Sequence, residues 1–166
     1  MSGAKRRSFE AGHRPKFLVL VDDTPECMRA VHFAARRCGR TGASLVMLGV
    51  VVPPDGFEWL GVGDTIQAEA EAETATRLDA AAAHALAAAG VEPERVVASG
   101  EKPDALAALI EADEDVSFLV LASASGSSGP GPLVASIAAK GAAGFPIPVV
   151  IVPGDLDDDE IDALAG

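Results

Sequence analysis

Five short, almost wholly apolar runs punctuate this 166-residue chain: Phe17–Val21, Ser44–Val51, Arg95–Ala98, Val116–Leu121 and Pro146–Val152. Segments with helical character lie between them. An apolar run without alternation has both faces buried, and strands that alternate with helices must cross over between parallel neighbours. The pattern βαβαβαβαβ therefore predicts one open parallel sheet covered by helices on both faces. In such sheets ligands bind beyond the carboxyl ends of the strands. Asp22, Val51, Gly100 and Ala122 stand at those ends.

The helices carry their own boundaries. After Asp22-Asp23, Thr24 is the expected cap, with Pro25 first and Glu26 in the opening turn. Val31, Ala34, Ala35 and Cys38 share one face, and Gly42 stops the helix. A long helix is predicted from Asp64 to Ala89, with Ile66, Ala70, Leu78, Ala82 and Leu86 inward and a Glu-rich face outward. Pro103 opens a third helix and Pro132 a fourth, Ala-rich one.

Charge is unevenly spread. The net charge of −12 argues against general affinity for nucleic acid or an anionic membrane. Residues 1–16 nevertheless hold Lys5, Arg6, Arg7, Arg14 and Lys16 against Glu10 alone. That segment, 1–15, is expected to be loose. Residues 154–166 form an acidic C-terminal segment, expected to dock through Ile161 and Leu164 with Asp158 or Asp159 near a helix cap. Between them, 16–153 is one domain. Cys27 and Cys38 sit about 16 Å apart along one helix, too far for a disulfide. With no signal peptide or membrane-length apolar segment, a reducing cytoplasm is the expected location. Neither thiol has neighbours at metal-ligand spacing, so no metal site is expected. His13, His32 and His84 look isolated, and no nucleophilic set is visible.

The loop after the fourth strand, Ala122-Ser123-Ala124-Ser125-Gly126-Ser127-Ser128-Gly129-Pro130-Gly131, leads into a helix start. A small-residue loop before a helix N-terminus can hold phosphate on backbone N–H groups, or can be a plain connection. Ser123, Ser127, Ser128 and Ser136 can add hydroxyl donors. Phe57 and Trp59, in the loop after the second strand, either plug the core edge or cover a ligand. Lys140 is expected at the surface.

Three segments together resemble the universal stress protein family. They are Leu20-Val21-Asp22 before a helix, the turn Gly100-Glu101-Lys102-Pro103, and the ending Ser136-Ile137-Ala138…Phe145-Pro146-Ile147-Pro148-Val149-Val150-Ile151-Val152. The resemblance covers about Phe17 to Val152. It implies a Rossmann-like sheet of order 3-2-1-4-5, a homodimer paired through the fifth strand, Val149–Val152, and a nucleotide site. Nucleotide-binding members carry Gly, two residues, Gly, nine residues, then Gly-Ser or Gly-Thr. On this chain those positions are Ala122, Ser125, Ala135 and Ser136, with Ser123 and Gly126 in the same loop. The family's adenine-facing aspartate corresponds to Asp22, the ribose approaches the turn at Gly100, and Val51, at its strand end, is a further candidate binding residue. Replacing three glycines and adding Pro130 and Pro132 predicts a weakened or absent ATP site. The expected function is regulatory rather than enzymatic, through dimerisation and unidentified protein partners. The alternative is a sensor of ATP or another adenine nucleotide, with slow hydrolysis at most.

Overall fold

In the computed structural model the described residues are 5–52, 63–126 and 129–166. Strands β1 (Lys16–Val21), β2 (Ser44–Val51), β3 (Glu94–Ser99), β4 (Val116–Ser123) and β5 (Val149–Pro153) alternate with α1 (Cys27–Thr41), α2 (Gly63–Ala89), α3 (Lys102–Ala112) and α4 (Pro132–Gly144). A fifth helix, α5 (Asp158–Ala165), closes the chain. All strand pairs are parallel, in the order β3-β2-β1-β4-β5. The sheet is therefore the predicted open five-stranded one, order 3-2-1-4-5. The chain reverses direction across it between β1 and β4, so the ends of those two strands flank the crevice where this architecture places ligands.

The unbroken apolar runs build two cores, because successive side chains alternate faces. Val19 and Val21 of β1, with Met47 and Val120, pack beneath α1, α2 and α5 through Val31, Ala34, Leu78, Ala81 and Ile161. Leu18 and Leu20, with Val46, Leu48 and Leu119, pack beneath α3 and α4 through Leu106, Ile110, Val134 and Ile137. Small side chains let the helices sit low. A Cβ added at Gly49 of β2 would lie 2.5 Å from Thr74 Cγ2 of α2, so only glycine fits that crossing.

Several local expectations need correcting. Thr24 does not cap α1. The Ncap is Glu26, whose side chain makes no cap bond, and Thr24 turns its hydroxyl to Asp22 instead. On α2 the inward face is Thr74, Leu78, Ala81, Ala82 and Ala85, while Leu86 is half exposed, because the apolar alanines all around the helix left its rotation undetermined. In α5, Ile161 is fully buried but Leu164 points to solvent. The Ncap there is Asp157, in a reciprocal capping box with Glu160.

Residues 5–15 make contacts with the body of the domain. Arg6 Nη1 donates to the carbonyls of Ile110 and Asp113 at 2.7 and 2.9 Å, closing the C-terminal end of α3, where a cation is favoured. Arg7 N–H donates to Glu114 O, Ser117 Oγ to the buried Ser8 Oγ, and His13 Nδ1 lies 2.7 Å from Asp115 Oδ1. Basic composition alone concealed this, since these partners are about 100 residues away.

Candidate functional site

The cleft at the carboxyl ends of β1 and β4 is lined by Asp22, Glu26, Cys27, Lys102, Ala122 and the Pro130–Val134 turn, among others. Asp22 is at its centre and already engaged. Its Oδ1 accepts from Thr24 N–H at 3.1 Å and Thr24 Oγ1 at 2.6 Å, and its Oδ2 accepts from Lys102 Nζ at 3.1 Å. Lys102 comes from the first turn of α3, so the ion pair spans the crevice from β1 to the opposite helix layer.

Electrostatics reinforce that closure. Burial alone would raise the Asp22 pKa, but the Thr24 hydroxyl, the Lys102 charge and the Thr24 backbone N–H together hold it below the usual aspartate range. A depressed folded-state value stabilises the fold above the unfolded pKa, about 3.9, and the benefit is lost as pH falls through the folded value. Lys102→Met is therefore expected to move the Asp22 pKa back up. A carboxylate NMR titration checks it, and an unmoved Asp22 would remove the pairing. Beside it, burial pushes the Cys27 thiol up to about 12. Its Sγ donates to Leu20 O and accepts from Asp22 N–H, so it helps hold the strand end and is no nucleophile.

The residues predicted from sequence divide into several groups. Asp22 and Ala122 share the cleft. Ser136 lines a neighbouring hollow between α3 and α4, which meets the cleft at Lys102, Pro132 and Leu133. Gly100 faces a separate groove along β3 and α3, and its N–H is spent on Val51 O at 3.0 Å. Val51 is buried beneath that bond. Ala135 faces solvent on α4. Ser123, Ser125 and Gly126 lie in the β4 end and loop, outside the cleft lining.

The loop itself folds around three glycines. Gly126, Gly129 and Gly131 all have φ near +90°, and no described non-glycine residue has a positive φ. Ala122, Ser125 and Ala135 thus sit in ordinary backbone, and the strain expected from replacing glycine there does not arise. Ala124 N–H donates to Pro130 O, which takes another donor out of the loop. Pro132 has none to give, leaving Leu133 and Val134 as the open N–H groups of the first turn of α4.

Sequence spacing missed Lys102 and Cys27 as cleft residues, because they come from different helices. It also missed the histidines. His32 is buried, with Nδ1 2.8 Å from His84 Nε2 and Nε2 2.7 Å from Asp162 Oδ1. His32 stands outside the face that Val31, Ala34, Ala35 and Cys38 share, but Asp162 of α5 covers that flank. Phe57, Trp59, Ser127, Ser128 and the Lys140 side chain lie outside the described residues. Among the described residues no helix is long and apolar enough to cross a membrane.

Comparison with known proteins bears on the same core. The family model described as the universal stress protein family matches residues 13–153. Among solved structures, the universal stress protein UspA from Lactobacillus plantarum is similar, with 16% identity, TM-score 0.68, and 83% of this chain and 97% of that one covered. A universal stress protein from Archaeoglobus fulgidus matches at 17% identity and TM-score 0.66, covering 89% and 99%. A universal stress protein in complex with cAMP matches at 22% identity and TM-score 0.61, covering 85% and 98%. Comparison with curated protein sequences gives no significant match.

Proposed function

The chain belongs to the universal stress protein family, and within it we propose a stress-response regulator that works through dimerisation and protein contacts, with its nucleotide site reduced or lost. The observation that carries this is Asp22. Three of the roughly four acceptor positions on its two oxygens are already used by Thr24 and Lys102, inside the cleft a nucleotide would have to enter. Glu26 also faces the cleft, so Lys102 is outnumbered by two carboxylates, which disfavours phosphate. Calorimetric titration with ATP tests the proposal, and binding at or below micromolar would overturn it.

The dimer is the positive half of the proposal. β5 is an edge strand, and Ile151 is 43% exposed on it. An apolar edge with unpaired backbone groups favours association with a second copy. Sedimentation is expected to give a dimer at micromolar concentration, and Ile151→Lys to weaken it. A monomeric wild type would remove the claim, and an undiminished dimer in the variant would move the interface elsewhere. Cytoplasmic location belongs to the same proposal.

One observation favours a second reading, an adenine-nucleotide sensor. A similar structure was solved with cAMP. In this chain the hollow beside Ser136 opens next to the first turns of α3 and α4. A smaller ligand with one phosphate asks less of the cradle than ATP does. Binding of cAMP but not ATP, abolished by Asp22→Ala, would support that reading over the first.

A further inference from the structure

Three helices bring ligand-type side chains to one point. His32 comes from α1, His84 from α2, and Asp158 from the first turn of α5. One donor atom from each lies within 4.8 Å of the other two. His32 Nδ1 is 2.8 Å from His84 Nε2 and 3.8 Å from Asp158 Oδ1. The set is graded in depth: His32 is buried, His84 half-buried, and Asp158 exposed at the rim. This leaves a path for an ion and for a water on the open side.

The outer contacts fix how the rings present themselves. Asp162 Oδ1 sits 2.7 Å from His32 Nε2 and forms an ion pair with Arg36 Nε at 3.1 Å, though that N–H is not aimed to hydrogen-bond it. A carboxylate there keeps the proton on Nε2 and leaves the Nδ1 lone pair facing His84 and Asp158. That carboxylate–imidazole arrangement is the usual support behind a metal-bound histidine. We propose that His32, His84 and Asp158 form a binding site for a divalent transition-metal ion of the zinc class, with Asp162 as the orienting residue.

The chemistry suits such an ion. Two imidazoles and one carboxylate, with a fourth position open to water, are a zinc-type ligand set. Ligand atoms about 2.0–2.1 Å from a tetrahedral ion lie about 3.3 Å from one another. The two nitrogens therefore need to part by about 0.5 Å, and Asp158 needs to close by about 0.5 Å on His32 and by more on His84, from which it lies within 4.8 Å. His84 ligates through Nε2 as the neutral tautomer with its proton moved to Nδ1. Burial, the neighbouring His32 and Arg29 lower its pKa, while Asp158 raises it, so the neutral ring is favoured near neutral pH. Arg29 Nη1, 3.5 Å from Asp158 Oδ1, is the competing cation. An ion here would tie the C-terminal helix to α1 and α2.

Titration of Zn²⁺ against a chromophoric competitor tests this on the full chain. One equivalent is expected to bind at micromolar affinity or tighter. Co²⁺ in the same site is expected to show visible absorption of tetrahedral strength that Zn²⁺ abolishes. Asp162→Asn is expected to lower affinity about 10- to 100-fold, and His84→Gln or Asp158→Asn by more. Asp159→Asn, also in the acidic run, is the control and should change nothing. Affinity should fall as pH drops, because protons compete with the ion for its ligands. Asp158 is at the surface, so its variant should fold, and far-UV circular dichroism verifies that for each. Failure to bind one equivalent at micromolar concentration overturns the proposal. So does binding unmoved by His84→Gln or Asp158→Asn.

Discussion

Ile161→Ala is expected to destabilise the protein by about 2–5 kcal/mol, whereas Leu164→Ala, three residues on, should change stability by less than about 0.5 kcal/mol. Ile161 is fully buried in the core beneath α1 and Leu164 is 67% exposed. Removing the buried side chain loses its transfer free energy and leaves a cavity that α1 can fill only partly. At about 2–4 °C per kcal/mol for a chain of this size, Ile161→Ala should lower the melting temperature by roughly 4–20 °C. Thermal unfolding followed by circular dichroism checks both. Equal effects at the two positions would mean that α5 does not dock on α1 as described. A small effect at both would make it a solvated tail.

That pair also marks where the sequence stopped being informative. Ile161 is followed at three and four residues by Leu164 and Ala165, and both spacings put a partner on the same helical face. Hydrophobicity favours Leu164, but Ala165 is the one buried. The decision was made upstream. The Asp157–Glu160 capping box sets where the helix begins, and Arg37 Nη1 donates to Ala165 O at 3.0 Å at its far end. A surface of small residues on α1 then admits alanine where leucine would not pack.

The sheet was legible because its signal is local. Phe17–Val21 and Val116–Leu121 are apolar on both faces whatever lies beside them, and strands separated by helices can be joined in few ways. Asp22 and Ala122 followed, since the ends of adjacent strands must come together. Lys102 did not follow. Nothing at its own position distinguishes it from a surface lysine, and its meaning comes from Asp22, 80 residues earlier. The same holds for Arg6 at the end of α3 and for His32. Their partners are contributed by elements whose docking no periodicity records.

ATP is expected to bind this chain about two to four powers of ten more weakly than it would a site with a complete phosphate cradle. Pro130 and Pro132 have no N–H, and Ala124 N–H is occupied by Pro130 O. Each unmade hydrogen bond to a charged group is worth roughly 1.5–3 kcal/mol, so two losses give about that range. The adenine end fares little better, because Thr24 and Lys102 already use three of the roughly four acceptor positions of Asp22. Titration calorimetry on the wild type and on Ala122→Gly, Ser125→Gly, Ala135→Gly combined separates the contributions. Of the three, only Ala122 lines the cleft and Ala135 faces solvent, and none needs a left-handed backbone. The combined variant should therefore regain affinity mainly through the bare backbone at residue 122. Adding Lys102→Met separates the two causes. If it raises affinity further, the ion pair was holding the adenine site shut. If it lowers affinity, Lys102 was serving the phosphates, and its pairing with Asp22 belongs only to the ligand-free protein. Micromolar or tighter binding by the wild type would show that Leu133 and Val134 N–H groups suffice, and that small side chains can stand where glycines were thought necessary.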